Sequence, residues 1–162
     1  MSAEKRQMWQ QKMAESRAAL KAILDALEPA QWSTPVFSEG SVWTVKTVVS
    51  HLLDSERGMS IQVHKIRKGE ETVPEGFDLA RWNAGVEKRV GELTPAQFME
   101  ALAQTRARTL QGMDSLSDEE WALTGRHPSR GMITVEQYYE TMYGHELMHG
   151  ADIRKAVGAA EG

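Results

Sequence analysis

The chain contains no cysteine, which excludes disulfides, thiolate metal ligands and a cysteine nucleophile, and agrees with a reducing compartment. No apolar run approaches the ~18 residues that a membrane-spanning helix needs. Basic charge is not in excess either: 19 Lys and Arg are scattered among 23 Asp and Glu, for a formal net charge of −4. That balance argues against the clustered basic stripe on which nucleic-acid binding depends. The opening residues, MSAEKRQMWQ, are charged from the fourth position and show neither the apolar stretch of a secretory signal nor a lipidation motif. The resulting expectations are a cytoplasmic protein and a small-molecule partner, with neither nucleic acid nor membrane. Strand patterns are few, and neither an internal repeat nor a domain linker stands out.

What is present is helical periodicity. The expectation is one all-α domain over residues 1–162, large enough to bury a substantial core. A first helix is expected from Ser2 to Leu27, stopped by Pro29, with Met13, Leu20, Ile23, Leu24 and Leu27 on one side. After a loop, PAQWSTPVFSEGSV, Thr44 caps a second helix that reaches Arg67 and carries Val45, Val48, Val49, Leu52, Met59 and Val63 as its apolar stripe. FDLARWNAGVEKRV reads as a short helical connector capped by Asp78. Thr94, Pro95 and Gln97 then form a complete N-terminal signal for a third long helix, and Thr134 with Gln137 repeats the capping box for the last. Between those two helices, GRHPSRGM reads as a loop. Four such helices make a four-helix bundle, and the long connection between the second and third permits a crossed order.

The chemistry concentrates in MYGHELMHGADI, where two histidines stand four residues apart. On a helical wheel Tyr138, Tyr139, Met142, His145, Glu146, His149 and Ile153 share the buried side, while Leu147 and Met148 point outward. Polar residues on the core side with apolar ones outside is the local conflict expected at a functional site. Residues at i and i+4 have Cβ atoms about 5–6 Å apart, so both imidazoles reach one ion. A catalytic cation commonly takes three protein ligands, and His51 in VVSHLLDSE is the best third candidate. The other reading is that these histidines are satisfied by core hydrogen bonds and do no chemistry. His64 and His127 read as solvated or structural. Glu56 lies within an apolar stripe and needs a buried cation or hydrogen-bond partner. Trp9, Trp32 and Phe37 belong either to a dimer interface or to the core.

HELMH matches HExxH, the zinc-protease helix in which the glutamate activates water, so Glu146 is a candidate catalytic base. The extended protease pattern is not continued, because Asp152 stands where it has glycine. WTVKTVVSHLLDSE, FDLARWN and HPSRGMITVEQYYETMYGHELMHGADI, in that order, instead resemble the DinB-like (DinB/YfiT-like) family, related to thiol-dependent transferases and mycothiol-dependent maleylpyruvate isomerases. The resemblance implies a four-helix bundle in a crossed up-down-down-up order. It also implies a divalent metal, zinc or nickel, on His51, His145 and His149; a homodimer is a separate expectation. The implied activity is transfer of a low-molecular-weight thiol such as bacillithiol to an electrophile; the alternatives are hydrolysis, or a metal-binding or metal-free bundle with a structural or interaction role. Glu146 is its candidate base or ligand-orienting group, with Asp54, Glu56 and Asp152 as outer partners. Arg57, Arg81, Trp82, Asn83 and the loop around His127 are expected at the mouth of the site.

Overall fold

The computed structural model describes residues 2–38 and 40–158. Four long helices dominate it: α1 (Ser2–Asp25), α2 (Val45–Arg67), α5 (Pro95–Asp114) and α6 (Val135–Val157), with short α3 (Leu79–Ala84) and α4 (Val86–Val90) in the second connection. The caps are those expected. Thr44, Thr94 and Thr134 accept from the backbone N–H groups of Thr47, Gln97 and Gln137, and the last two close capping boxes. Each such cap contributes about 1 kcal/mol by satisfying donors that the helix itself cannot.

Side-chain pairs fix the direction of each helix. Lys5 meets Glu136 and Ser16 meets Glu146, so α1 and α6 run parallel. Glu56 meets Arg106, Ser60 meets Thr109 and Arg67 meets Ser115, so α2 and α5 are also parallel. Arg6 reaches the Leu116 carbonyl while Arg17 reaches that of Leu102, which sets α1 antiparallel to α5. The order is therefore up, down, down, up. Parallel α2 and α5 require their connection to travel the length of the bundle, and residues 68–94, with α3 and α4, supply that span.

Both segments read as loops contain β-hairpins. Strands β1 (Pro35–Ser38) and β2 (Ser41–Thr44) pair antiparallel, as do β3 (Thr124–His127) and β4 (Gly131–Thr134). Four-residue strands are too short for a period-two signal to emerge, and their turns hold the glycines that read as loop. Gly40 and Gly131 adopt φ of +76° and +70°, the left-handed region open to glycine without penalty. Each hairpin ends directly in a helix cap, where Val45 N–H donates to the Thr34 carbonyl and Val135 N–H to that of Leu123.

A repeat invisible in the sequence follows. Helix, 3-10 turn, hairpin and helix occur in that order twice, α1 to α2 and α5 to α6, with Trp32 and Trp121 buried in the two 3-10 turns. The expectation of no internal repeat is corrected at the level of structure. The halves share elements and caps, while their exposed residues diverge.

The repeat carries charge into the core. Arg17 and Arg106 each lie eight residues before the end of their helices, and Glu56 and Glu146 each lie eleven past the start of theirs. These four residues interlock: Arg17 bonds Glu56 (2.7 Å) and Glu146 (2.6 Å), and Arg106 bonds Glu56 (2.8 Å) and Glu146 (2.9 Å). The tetrad divides two apolar clusters, one containing Trp9, Met13, Met59, Met113 and Tyr138, the other Leu20, Leu24, Val49, Leu53, Phe98 and Ile153. Burial works to raise the Glu56 carboxyl, but the hydrogen bond and charge of Arg106, with the charge of Arg17, outweigh it and hold it below the ordinary carboxylate value. Trp9 and Trp32 complete the core, whereas Phe37 is 72 % exposed on β1.

Candidate metal centre

His51 lies on α2 and His145 and His149 on α6, two adjacent antiparallel helices. On α6 His149 is buried and His145 half-buried while Leu147 and Met148 are exposed, and on α2 His51 is buried. The Nε2 atom of His145 stands 2.9 Å from Nε2 of His51 and 3.0 Å from Nε2 of His149. One ligand nitrogen from each ring lies within 4.8 Å of the other two. Two nitrogens bound ~2.05 Å from one cation are about 2.9 Å apart at a right angle and about 3.3 Å at the tetrahedral angle. Two of the three pairs thus have the spacing of imidazoles turned toward a common point, and the third is bounded at 4.8 Å.

The donor set fits a cation on a second ground. Ser38, on β1, has its hydroxyl 2.5 Å from Asp152 Oδ2 and 2.9 Å from His149 Nδ1. A carboxylate only accepts, so the single hydroxyl proton goes to Asp152 and the Ser38 oxygen must accept from His149 Nδ1–H. That tautomer leaves the lone pair of His149 on Nε2, the atom 3.0 Å from Nε2 of His145. A histidine oriented through its remote nitrogen by a hydroxyl and a carboxylate is the usual support of a metal ligand. Trp43 covers the group, its ring 5.0 Å from that of His51 and 6.3 Å from that of His149.

Glu146 is adjacent to His145 in sequence but belongs elsewhere. Its carboxylate takes Ser16 (2.5 Å), Arg17 (2.6 Å) and Arg106 (2.9 Å), so both oxygens are engaged in the tetrad. Glu56 is held there too, and Asp54 pairs with Arg89 (2.8 Å), which leaves Asp152 as the expected outer carboxylate that contacts a histidine of the group. Ser38 escaped sequence reasoning because the hairpin was read as loop. The sequence of Pro35–Ser38 holds no signal for it, since the apolar Phe37 is exposed while the polar Ser38 is buried beside Val36.

His51 and His145 open onto a cavity of about 370 Å³ that runs between α2, α6, the connection before α4 and the β3–β4 turn. Trp82, Asn83 and His127 lie on its wall as expected for a mouth. Arg57 does not, turning to Thr105 (3.3 Å), and Arg81 is exposed. Among the described residues no helix is long and apolar enough to cross a membrane.

Crossed bundle, clustered imidazoles and adjoining cavity define a class: small helical bundles with a three-histidine group between helices that could hold a metal ion. The sequence profile of the DinB superfamily matches residues 12–153, and the chain belongs to that superfamily. It is 26 % identical over 163 residues to "Putative metal-dependent hydrolase YfiT" of Bacillus subtilis (strain 168), across 98 % of this chain and 89 % of that protein. The solved structure of YfiT, described as having an unusual four-helix bundle topology, matches with a TM-score of 0.75 at 24 % identity, over 99 % of this chain and 91 % of YfiT. A mycothiol-dependent maleylpyruvate isomerase matches with a TM-score of 0.76 at 14 % identity, over 94 % of this chain, which spans only 60 % of that longer protein. The colibactin self-resistance protein ClbS, solved with double-stranded DNA, matches with a TM-score of 0.74 at 14 % identity over 96 % of this chain and 97 % of ClbS.

Proposed function

We propose that the chain is a divalent-metal-dependent enzyme that joins a low-molecular-weight thiol, of the bacillithiol kind, to an electrophilic small molecule. His51, His145 and His149 hold the cation, zinc or nickel, both of which suit imidazole ligands. The observation that carries the reading is the convergence of three imidazole nitrogens, one with its tautomer set by Ser38 and Asp152, beside a cavity of small-molecule size. A cation in such a site stabilises the anionic form of a thiol or water and so supplies a nucleophile near neutral pH.

Thiol transfer is preferred over hydrolysis for a reason the site itself provides. A thiol starts with a pKa near 8.5, whereas water starts near 15.7, so the thiol needs no additional base. The carboxylate that HExxH chemistry would use, Glu146, is committed to two arginines and a serine. Hydrolysis remains the second reading, supported by the name of the Bacillus relative. The working unit is a cytoplasmic homodimer. Its partner is a small molecule and not nucleic acid or membrane, in keeping with a net charge of −4.

Metal analysis of tag-free protein tests the first part: about one equivalent per chain is expected, falling below about 0.2 in His149→Ala, because a site with two ligands no longer retains its ion. Conjugation of 1-chloro-2,4-dinitrobenzene with bacillithiol, mycothiol and glutathione tests the second. Equal rates for wild type and His149→Ala would refute transfer at this site.

A further inference from the structure

The structural repeat assigns each residue of the metal centre a counterpart in the other half. His51 is six residues past the start of α2, as Thr141 is past the start of α6. His145 and His149, ten and fourteen past the start of α6, correspond to Ser55 and Met59 on α2. Ser38, the last residue of β1, corresponds to His127, the last of β3. All four counterparts, Thr141, Ser55, Met59 and His127, line the 370 Å³ cavity. The imidazole group draws on both halves of the repeat, and the place equivalent to it, marked by Thr141, Ser55, Met59 and His127, is hollow.

The hollow is firmly walled. Gly125 of β3 has no room for a side chain, since a Cβ there would lie 2.5 Å from Ile66. The carbonyl of Arg126 accepts from Thr72 (2.8 Å) and Tyr138 (2.9 Å). His127 is set by its neighbours: its ring packs edge-on to Tyr138 at 5.5 Å, and its Nδ1 accepts from the backbone N–H of Ser129 (3.2 Å). Burial first, then the charge of Arg130, pushes His127 down to about 4, so the ring is neutral at physiological pH. A neutral ring that accepts at Nδ1 carries its proton on Nε2. The rest of the wall is largely apolar, with Met59, Ile61, Phe77 and Trp82. Its two charged residues are Lys65 and Asp54, the latter already paired with Arg89. A cavity of this volume with apolar walls and few fixed polar groups is the usual form of a small-molecule site.

We propose that this cavity binds the electrophilic substrate, an uncharged and mainly apolar molecule whose hydrogen-bond-accepting oxygen is recognised by Nε2–H of His127. The inference rests on the three-histidine group being the reaction centre, since that is what makes the bound molecule a substrate. Binding itself requires no cation, so the two readings fail separately.

Two neutral probes of matched shape, 2-acetylnaphthalene with a carbonyl acceptor and 2-ethylnaphthalene without one, are compared by equilibrium dialysis. The protein is used as purified and again after chelation with EDTA. Wild type is expected to prefer the ketone about 3- to 10-fold, the range of one hydrogen bond to a neutral donor, with or without metal. His127→Phe keeps a flat ring against Tyr138 and is expected to abolish the preference while retaining affinity for the hydrocarbon. Gly58→Leu is the second variant. Gly58 lines the cavity on α2 and has nothing within 4 Å of a built Cβ, so a larger side chain there starts in open space and extends toward the hollow. It is expected to weaken both probes at least tenfold with circular dichroism and metal content unchanged. An unchanged ketone preference in His127→Phe, or undiminished binding in Gly58→Leu, overturns the proposal whatever the metal analysis shows. Absence of metal from the protein as purified, with binding intact, would instead overturn only the reaction-centre reading.

Discussion

Replacing Glu146 with glutamine separates two roles that the sequence leaves superimposed. As the glutamate of HExxH it would act on the reaction, whereas in the tetrad it neutralises buried arginines. Glutamine preserves the shape but turns one acceptor oxygen into an NH2 donor facing groups that themselves donate: Ser16, Arg17 and Arg106. Two guanidiniums would then share Glu56 alone. Removing one partner of a buried ion pair typically costs about 3–5 kcal/mol, because the other charge stays desolvated. In a domain of this size each kcal/mol shifts the midpoint by about 2–4 °C, so a fall of roughly 6–20 °C in Tm is expected. Thermal unfolding followed by circular dichroism reads it, with metal content measured on the same samples and expected to stay near one equivalent. The double variant Arg17→Met/Glu146→Met, which leaves Arg106 and Glu56 paired, is expected to recover much of the loss, since apolar replacement of a whole buried pair is often neutral. A Glu146→Gln protein with Tm within about 2 °C of wild type but turnover reduced a hundredfold would refute this assignment and restore the catalytic one.

Ser38→Ala should weaken metal binding about 10- to 100-fold, the usual effect of removing an outer partner of a ligating histidine, as read by competition with a chromophoric chelator. No change would show that the hydroxyl does not set the His149 tautomer. The carboxyl of Glu56 is lowered in the folded state from its ordinary 4.5, so its contribution is complete above that value and is lost as pH falls below it toward the folded pKa. Wild-type stability should therefore decline through the acid range below about pH 4.5, and Glu56→Gln, less stable at neutral pH, should show a shallower decline in chemical denaturation. Gly125→Ala must displace Ile66 and is expected to cost about 1–3 kcal/mol by overpacking, measurable in urea unfolding. An unaffected midpoint would show that the hairpin does not pack there as tightly as described.

The legibility of the sequence differed from element to element. Helix caps were readable because Thr94, Pro95 and Gln97, or Thr134 and Gln137, act within one turn of each other, where spacing in sequence is spacing in space. His145 and His149 were readable for the same reason: four residues on a helix are one turn. His51 lies 94 positions from its neighbour His145 and entered on the wheel and the resemblance, not on any local signal. Arg17, Arg106 and Ser38 went unread. Each is an ordinary polar residue locally, and each takes its meaning from partners 39 or more residues away on other elements.

The sequence by itself determined the helical class, the caps, the inward face of the last helix and the pair of imidazoles on it, because these follow from short-range periodicity and backbone hydrogen bonding. Only the tertiary structure decided that Glu146 belongs to the arginines rather than to the three-histidine group, that Ser38 fixes the tautomer of His149, and that a hairpin histidine walls the cavity. Those outcomes depend on which helices pack together and in which direction, and burial forces every charge and hydroxyl brought inside to find its partner there.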